Sequence, residues 1–372
     1  MLSRNVTPPA STAPTKTRRF RFNWVDGFLW FIRIAAIIVI VVGIVGSIQL
    51  FAAGEGPTLE QWRDLVISSF ATGAMYGLLA LGYSMVYGVL GFINFAHGEV
   101  FMSGTMVGLI ASTMLFDNGF WDANPMASLL IVVLVAMFTS TLVAVIIERV
   151  AYRPLRNAPR LIPLITSIGV SFFLQYAFAG LFGVGIRSYP PAPGNLGDDV
   201  EIFGISIAGT KLLVIVVAAI SMVGLWYFVK RTKTGTAMRA VAEDKEIAGL
   251  MGINVERTIV TVFAVGGAMA GIAGLLWALL FRGVDFLTGF LPGIKAFTAA
   301  VLGGIGNLPG AMLGGILLGL FEGVGPLLVL AGLGIPAVSQ LKDFVAFSAL
   351  ILVLIFRPSG LLGERLGSED RA

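Results

Sequence analysis

Long apolar runs separated by short polar punctuation organise this chain from end to end. Runs of about 20 apolar residues match a helix crossing a hydrocarbon core about 30 Å thick. They fall at approximately 29–53, 64–88, 99–116, 127–148, 161–184, 211–229, 258–281, 290–306, 309–331 and 338–356. The third and eighth are short. Ten crossings are expected, or eight if those two re-enter on the side they left. The polar stretch 230–257 is the longest interruption after the first crossing.

Composition agrees with the pattern. The chain has 372 residues, 57% hydrophobic and 12% charged, and a mean hydropathy of +0.91. Soluble domains carry about 25% charged residues, so a water-coated globule is excluded. The fold class is an all-α polytopic membrane bundle. The chain divides into four regions: a Pro/Ser/Thr-rich basic segment, 1–28, expected to be disordered; a first span and outer loop, 29–60; the main transmembrane domain, 61–357; and a tail, 358–372. Arg18 and Arg19 mimic a twin-arginine export signal. The apolar run after them is too long for a signal-peptide core and no A-x-A site comes after it, so it reads as a span. Cysteine is absent, which removes disulfides and thiolate metal sites.

The excess of basic residues, +4 at neutral pH, is topological. With the N-terminus inside, the inner segments hold 18 of the 25 Lys and Arg; Arg63, Arg187, Lys211 and Arg282 lie outside, and Arg33, Lys295 and Lys342 fall within spans. Basic residues concentrate in cytoplasmic loops. Both termini are therefore expected on the cytoplasmic side, with no nucleic-acid partner.

Polar residues inside apolar runs are costly, about 2.5–3.5 kcal/mol per ionised group on insertion scales. The stretch "GYSMVYGVLGFINFAHGEVFMSG" holds Asn94, Glu99 and the only histidine, His97. One reading makes this a helix boundary capped by Asn94. The other has Gly88, Gly91 and Gly98 break a helix beside a cavity, where transporters bind substrate. Lys295 and Glu322 are the other pathway candidates, with Glu322 partnered by Lys295. Lys342 and Asp343 read as residues at a helix end that snorkel. The pairs Gly267/Gly271 and Gly315/Gly319/Gly323 read first as close helix contacts. A single His without Cys or clustered carboxylates supports neither a metal site nor catalysis; no cofactor is expected.

Within 230–257, residues 236–251 read as one amphipathic helix. Met238, Val241, Ala242, Ala248 and Met251 lie on one side, and charged residues occupy the rest. Gly252 is its stop and Asn254 caps the next helix. Small residues suit docking into a partner's groove, with Arg239, Ala242, Glu243, Ala248 and Gly252 as contacts; an interfacial helix is the alternative.

The stretch "RAVAEDKEIAGLMGIN" is succeeded by "FAVGGAMAGIAGLL" and "GIKAFTAAVLGGIGNLPGAMLGGILLGLFE". With "GYSMVYGVLGFINFAHGE" they resemble the permeases of the branched-chain amino-acid ABC importer family, over about 65–363. "INFAHGE" is similar to the first of the two permease paralogues. The resemblance implies an inverted-repeat permease bundle whose loop helix couples to ATPases. It also implies partners: a second permease, two cytoplasmic ATP-binding subunits, an extracytoplasmic binding protein and a small amino-acid-like substrate. None of the seven lysines directly succeeds a glycine, so the chain holds no phosphate-binding G-x-x-x-x-G-K loop and is not expected to be an enzyme. "GGIGNLPG" lacks the context of a dinucleotide loop and reads as a turn before a helix beginning at Asn307 and Pro309. An ion-coupled carrier, an importer of urea or short amides, and a passive channel are the competing functions.

Overall fold

In a computed structural model, described over residues 24–363 except 157, 160 and 203, the chain is a bundle of helices. In order they are α1 (Trp24–Ala52), α2 (Leu59–Leu90), α3 (His97–Asp117), α4 (Phe120–Ala123), α5 (Pro125–Ile147), α6 (Leu161–Phe182), α7 (Gly209–Arg231), α8 (Lys233–Glu243), α9 (Lys245–Leu250), α10 (Val255–Phe281), α11 (Phe290–Gly303), α12 (Leu308–Gly325) and α13 (Lys342–Phe356). Four short strands form two antiparallel pairs: β1 (Arg187–Ser188) with β4 (Gly283–Val284), and β2 (Asp199–Ile202) with β3 (Ile205–Ala208). Among the described residues nine helices are long and apolar enough to cross a membrane. The chain is a multi-pass membrane protein.

The remaining expected crossing is a shorter apolar helix. At 14 residues, α11 reaches about 21 Å, short of the hydrocarbon thickness. The chain first returns from the end of α10 through β4 and residues 285–289 before α11 begins. Residues 286–289 are turns, with the Thr288 and Phe290 amides donating to the Asp285 and Leu287 carbonyls, so α11 starts inside the bundle from non-helical chain. The eighth expected span, 290–306, is helical over 290–303 and is preceded by this non-helical chain. The third is a full helix of 21 residues.

Close contacts order the two ends of the bundle. Gly88 on α2 lies nearest Ala242 on α8, and Ser84 Oγ accepts from Gly306 N–H at 2.9 Å, in the turn between α11 and α12. That end also carries residues 361 and 362, whose amides donate to Leu302 and Gly303 at 2.9 Å, and Arg33 of α1, which donates to the Ile355 carbonyl at 2.7 Å. The strands mark the other end. There Trp121 Nε1 donates to Pro191 O, and the hydroxyl of Tyr189 donates to Thr105 O, both at 2.9 Å. Burial pushes the Tyr189 phenol above its ordinary range, so it stays a donor.

Glycine sets the closest packing. A Cβ on Gly319 would sit 2.3 Å from Gly73 Cα, and one on Gly315 2.2 Å from Gly77 N, so α12 and α2 meet backbone to backbone. Gly267 and Gly271 do the same against Ser140, Ala136 and Met137 of α5. In lipid such contact gains dispersion where hydrophobic drive is absent.

Three expectations are corrected. Residues 24–28, placed in the disordered segment, are helical; residues 1–23 lie outside the described part, as do 364–372 of the tail. The loop helix is two helices, because Asp244 leaves helical geometry and its carboxylate accepts from Glu246 and Ile247 N–H, capping α9. Of the three glycines expected to break a helix beside a cavity, only Gly91 does so, at φ 74°. Gly88 and Gly98 are helical.

Candidate translocation site and docking helices

Residues 91–96 leave α2 at Gly91 and turn back into the bundle. Asn94 is buried, but it does not cap α3, whose N-cap is Ala96 without a side-chain bond. Its Oδ1 accepts from Ala96 N–H at 3.1 Å and from the Tyr152 hydroxyl at 2.5 Å. His97 fills the space that Gly82 leaves: a Cβ there would lie 2.2 Å from Nε2. Its ring meets Tyr83 edge-on at 4.8 Å, and Nε2 has no hydrogen-bond partner.

Two residues on, Glu99 is 1% exposed. Its Oε1 accepts from Gln175 Nε2 at 2.7 Å and Ser171 Oγ at 3.2 Å, both on α6. Its Oε2 is unpartnered and faces the backbone at Gly289. Here two discontinuities meet. Gly98 in the first turn of α3 packs on Gly289 and Gly293, where α11 begins; a Cβ on Gly98 would lie 2.5 Å from Gly289 O. Both helix N-termini, each with partial positive charge, open onto the buried carboxylate.

A second polar cluster lies on the far side of α11. Lys295 Nζ is 2.9 Å from Glu322 Oε1 on α12 and 2.7 Å from Asp343 Oδ1 on α13, while Lys342 Nζ is 3.9 Å from Glu322. Lys295 also stands 5.8 Å from the centre of the Tyr76 ring. Asp343 therefore turns inward to Lys295 and does not snorkel; Lys342 is half exposed. The five sequence candidates thus form two groups, Asn94/His97/Glu99 and Lys295/Glu322, with α11 between them. A cleft of about 330 Å³ at the strand end, lined by Leu109, Ile110, Thr113, Met114, Arg187 and Ser188, belongs to neither.

The loop helices present a different surface. Met238, Val241 and Ala248 are buried against the bundle. Ala248, expected as a docking contact, is therefore unavailable to a partner. Arg239, Ala242, Glu243 and Gly252 are exposed. So are Ile247, Leu250 and Met251, at 59%, 86% and 78%, beyond the crossing helices. Sequence reasoning put Met251 on the packed side because it assumed one unbroken helix; the Asp244 break re-registers α9. Gly252 stops α9 at φ 85°, and Asn254 caps α10 by accepting from Arg257 N–H at 2.9 Å.

The residues missed from the sequence are Ser171, Gln175 and Tyr152, while Asp343 was given the wrong role. Ser167, Ser171 and Gln175 recur near every fourth position of an apolar helix, a polar stripe that signals an inward face.

The family described as "Branched-chain amino acid transport system / permease component" matches residues 65–354. The high-affinity branched-chain amino acid transport system permease protein BraD of Pseudomonas aeruginosa is 43% identical over 310 residues, covering 83% of this chain and 98% of its own length. LivH of Escherichia coli K12, of the same description, is 40% identical over 299 residues, 78% of this chain and 92% of that one. Among solved structures, "PsaBC from Streptococcus pneumoniae in complex with Fab" matches at a TM-score of 0.39 and 12% identity, covering 78% of this chain and 91% of that chain. The chain belongs to the family of branched-chain amino acid transport system permeases.

Proposed function

We propose that this chain is the membrane permease of an ATP-driven importer of branched-chain amino acids, seated in a bacterial inner membrane with both termini cytoplasmic. The observation that carries it is the identity to BraD across 98% of that protein, joined to a pair of helices beyond the bundle whose apolar residues are uncovered. Helices α8 and α9 dock on cytoplasmic ATP-binding subunits through Arg239, Ala242, Glu243, Gly252, Ile247, Leu250 and Met251. Ala and Gly let a docking backbone seat closely, and three bulky apolar side chains supply the area that fills a groove. The basic residues of the inner loops support this orientation.

The translocation path runs where helices α3 and α11 begin inside the bundle after non-helical chain. Non-helical backbone at membrane depth is tolerated only within protein or beside water, and transporters place substrate there. Glu99, with Asn94 and His97, lines that path. Lys295 and Glu322 hold α11 against α12 and α13. A second permease completes the path, two ATPases drive it, and an extracytoplasmic binding protein delivers the solute. Hydrolysis belongs to the ATPases.

Reconstituted vesicles test the energy source. The complex should accumulate leucine, isoleucine and valine when ATP is present on the α8–α9 side, and an ion gradient alone should drive none. Uptake driven by the gradient without ATP would replace this reading with an ion-coupled carrier.

A further inference from the structure

Beyond Ile147 the fourth crossing does not stop but widens into a π-helical turn, Glu148–Tyr152, and then a 3-10 turn, Arg153–Leu155. Such turns are rare and gather at functional sites, because an extra residue per turn moves side chains out of the ordinary register. This one fans its side chains in two directions.

One direction is toward α10. Arg153 pairs with Glu256 in the first turn of α10, four residues after Gly252. Arg156 pairs with Glu148 and lies 3.8 Å from Glu256. Glu148 is fully buried and its second oxygen has no partner. A buried carboxylate with one cation is strongly dependent on that cation staying in place.

The other direction is toward the break between α2 and α3. The Tyr152 hydroxyl donates to Asn94 Oδ1 at 2.5 Å. Its ring stands 5.4 Å from Phe92 and 5.8 Å from Phe263. Asn94 in turn accepts from Ala96, the residue before α3, and three residues on stands Glu99. One turn therefore touches both the base of α10 and the segment that launches α3.

We propose that this π-turn is the mechanical link between the docking helices and the start of α3 in the translocation path. The inference rests on the docking reading of α8 and α9. Movement of α9 displaces Glu256; Arg153 and Arg156 pass the displacement to the π-turn, and Tyr152 passes it to Asn94 and the start of α3. The turn has a discrete alternative, since loss of its extra residue to α-register rotates the downstream residues by about 100°. A two-state element contacting both sites is what coupling physically requires.

The experiment uses the whole complex in vesicles, reading solute transported per ATP hydrolysed. Tyr152→Phe keeps both ring contacts and deletes the single hydroxyl that reaches Asn94. It should retain the ATPases and unstimulated hydrolysis and lose no more than a few degrees of melting temperature, while transport per ATP falls about five- to tenfold, the range of one buried hydrogen bond. Arg153→Glu and Glu256→Arg should each uncouple, and the double exchange should restore most of the ratio. If either single exchange fails to reach the membrane, Tyr152→Phe decides alone. A wild-type ratio in Tyr152→Phe overturns the proposal. So does a loss of transport that merely tracks a loss of membrane abundance or melting temperature. If the wild-type chain itself retains no ATPase, the docking reading falls first and this proposal with it.

Discussion

A hydrogen atom on Gly319 is all that separates the backbones of α12 and α2: any side chain there would run into Gly73. Gly169, on α6, has open space where its Cβ would lie. The sequence separates the two only in part: Gly319 belongs to a G-x-x-x-G series and Gly169 to none, but neither spacing says what meets the glycine. Gly319→Val is expected to cost about 1–3 kcal/mol through overpacking, read as a lower melting temperature in detergent. Gly169→Ala should leave that temperature unchanged or slightly raised, since alanine is the better helix former. Equal melting for the two variants would remove the close-packing account. His97 teaches the same lesson. It stood out as the only histidine, yet what makes room for it is Gly82, fifteen residues away on another helix. A distant small residue leaves no local signal.

At the scale of elements, apolar length made nine of the crossings legible, because lipid tolerates so few ways of satisfying a backbone. It failed where the backbone is not helical. The stretch 283–289 has no apolar run of its own, so the chain leading into α11 left no signal. The split between α8 and α9 was hidden too: Asp244 reads as one more charge on a solvated face until its carboxylate is seen capping α9. Pairing across elements was legible in part. Lys295 and Glu322 attract by charge, but Asp343 joins them only because α13 begins beside α11. This triad makes an asymmetric prediction. Lys295→Met removes the nearest cation of both carboxylates, leaving buried Glu322 only Lys342 at 3.9 Å, and should cost up to about 3 kcal/mol. Glu322→Gln leaves Lys295 with Asp343 and should cost less. Thermal unfolding of both variants checks the order; greater damage from Glu322→Gln would show that Asp343 does not hold the lysine.

Across the whole molecule, two helices begin side by side inside the bundle while a pair of uncovered helices waits at one end. Helix α1 stands apart from both. It precedes the family match, and in its most apolar window only 6% is buried, against 67% for α2. Gly43 and Gly46 seat it on Val329 and Gly332, and Arg33 reaches the end of α13. The rest of its surface is exposed. The functional account depends on the other end of the molecule, where α9 must face the cytoplasm and be covered by an ATPase. The chain contains no cysteine, so Leu250→Cys creates a unique label site at an exposed position. An impermeant thiol reagent should leave it untouched in intact cells and modify it in inverted vesicles stripped of ATP-binding subunits. Restoring those subunits should protect it. Labelling from the outside of intact cells, or equal labelling with and without the ATPases, would contradict the account.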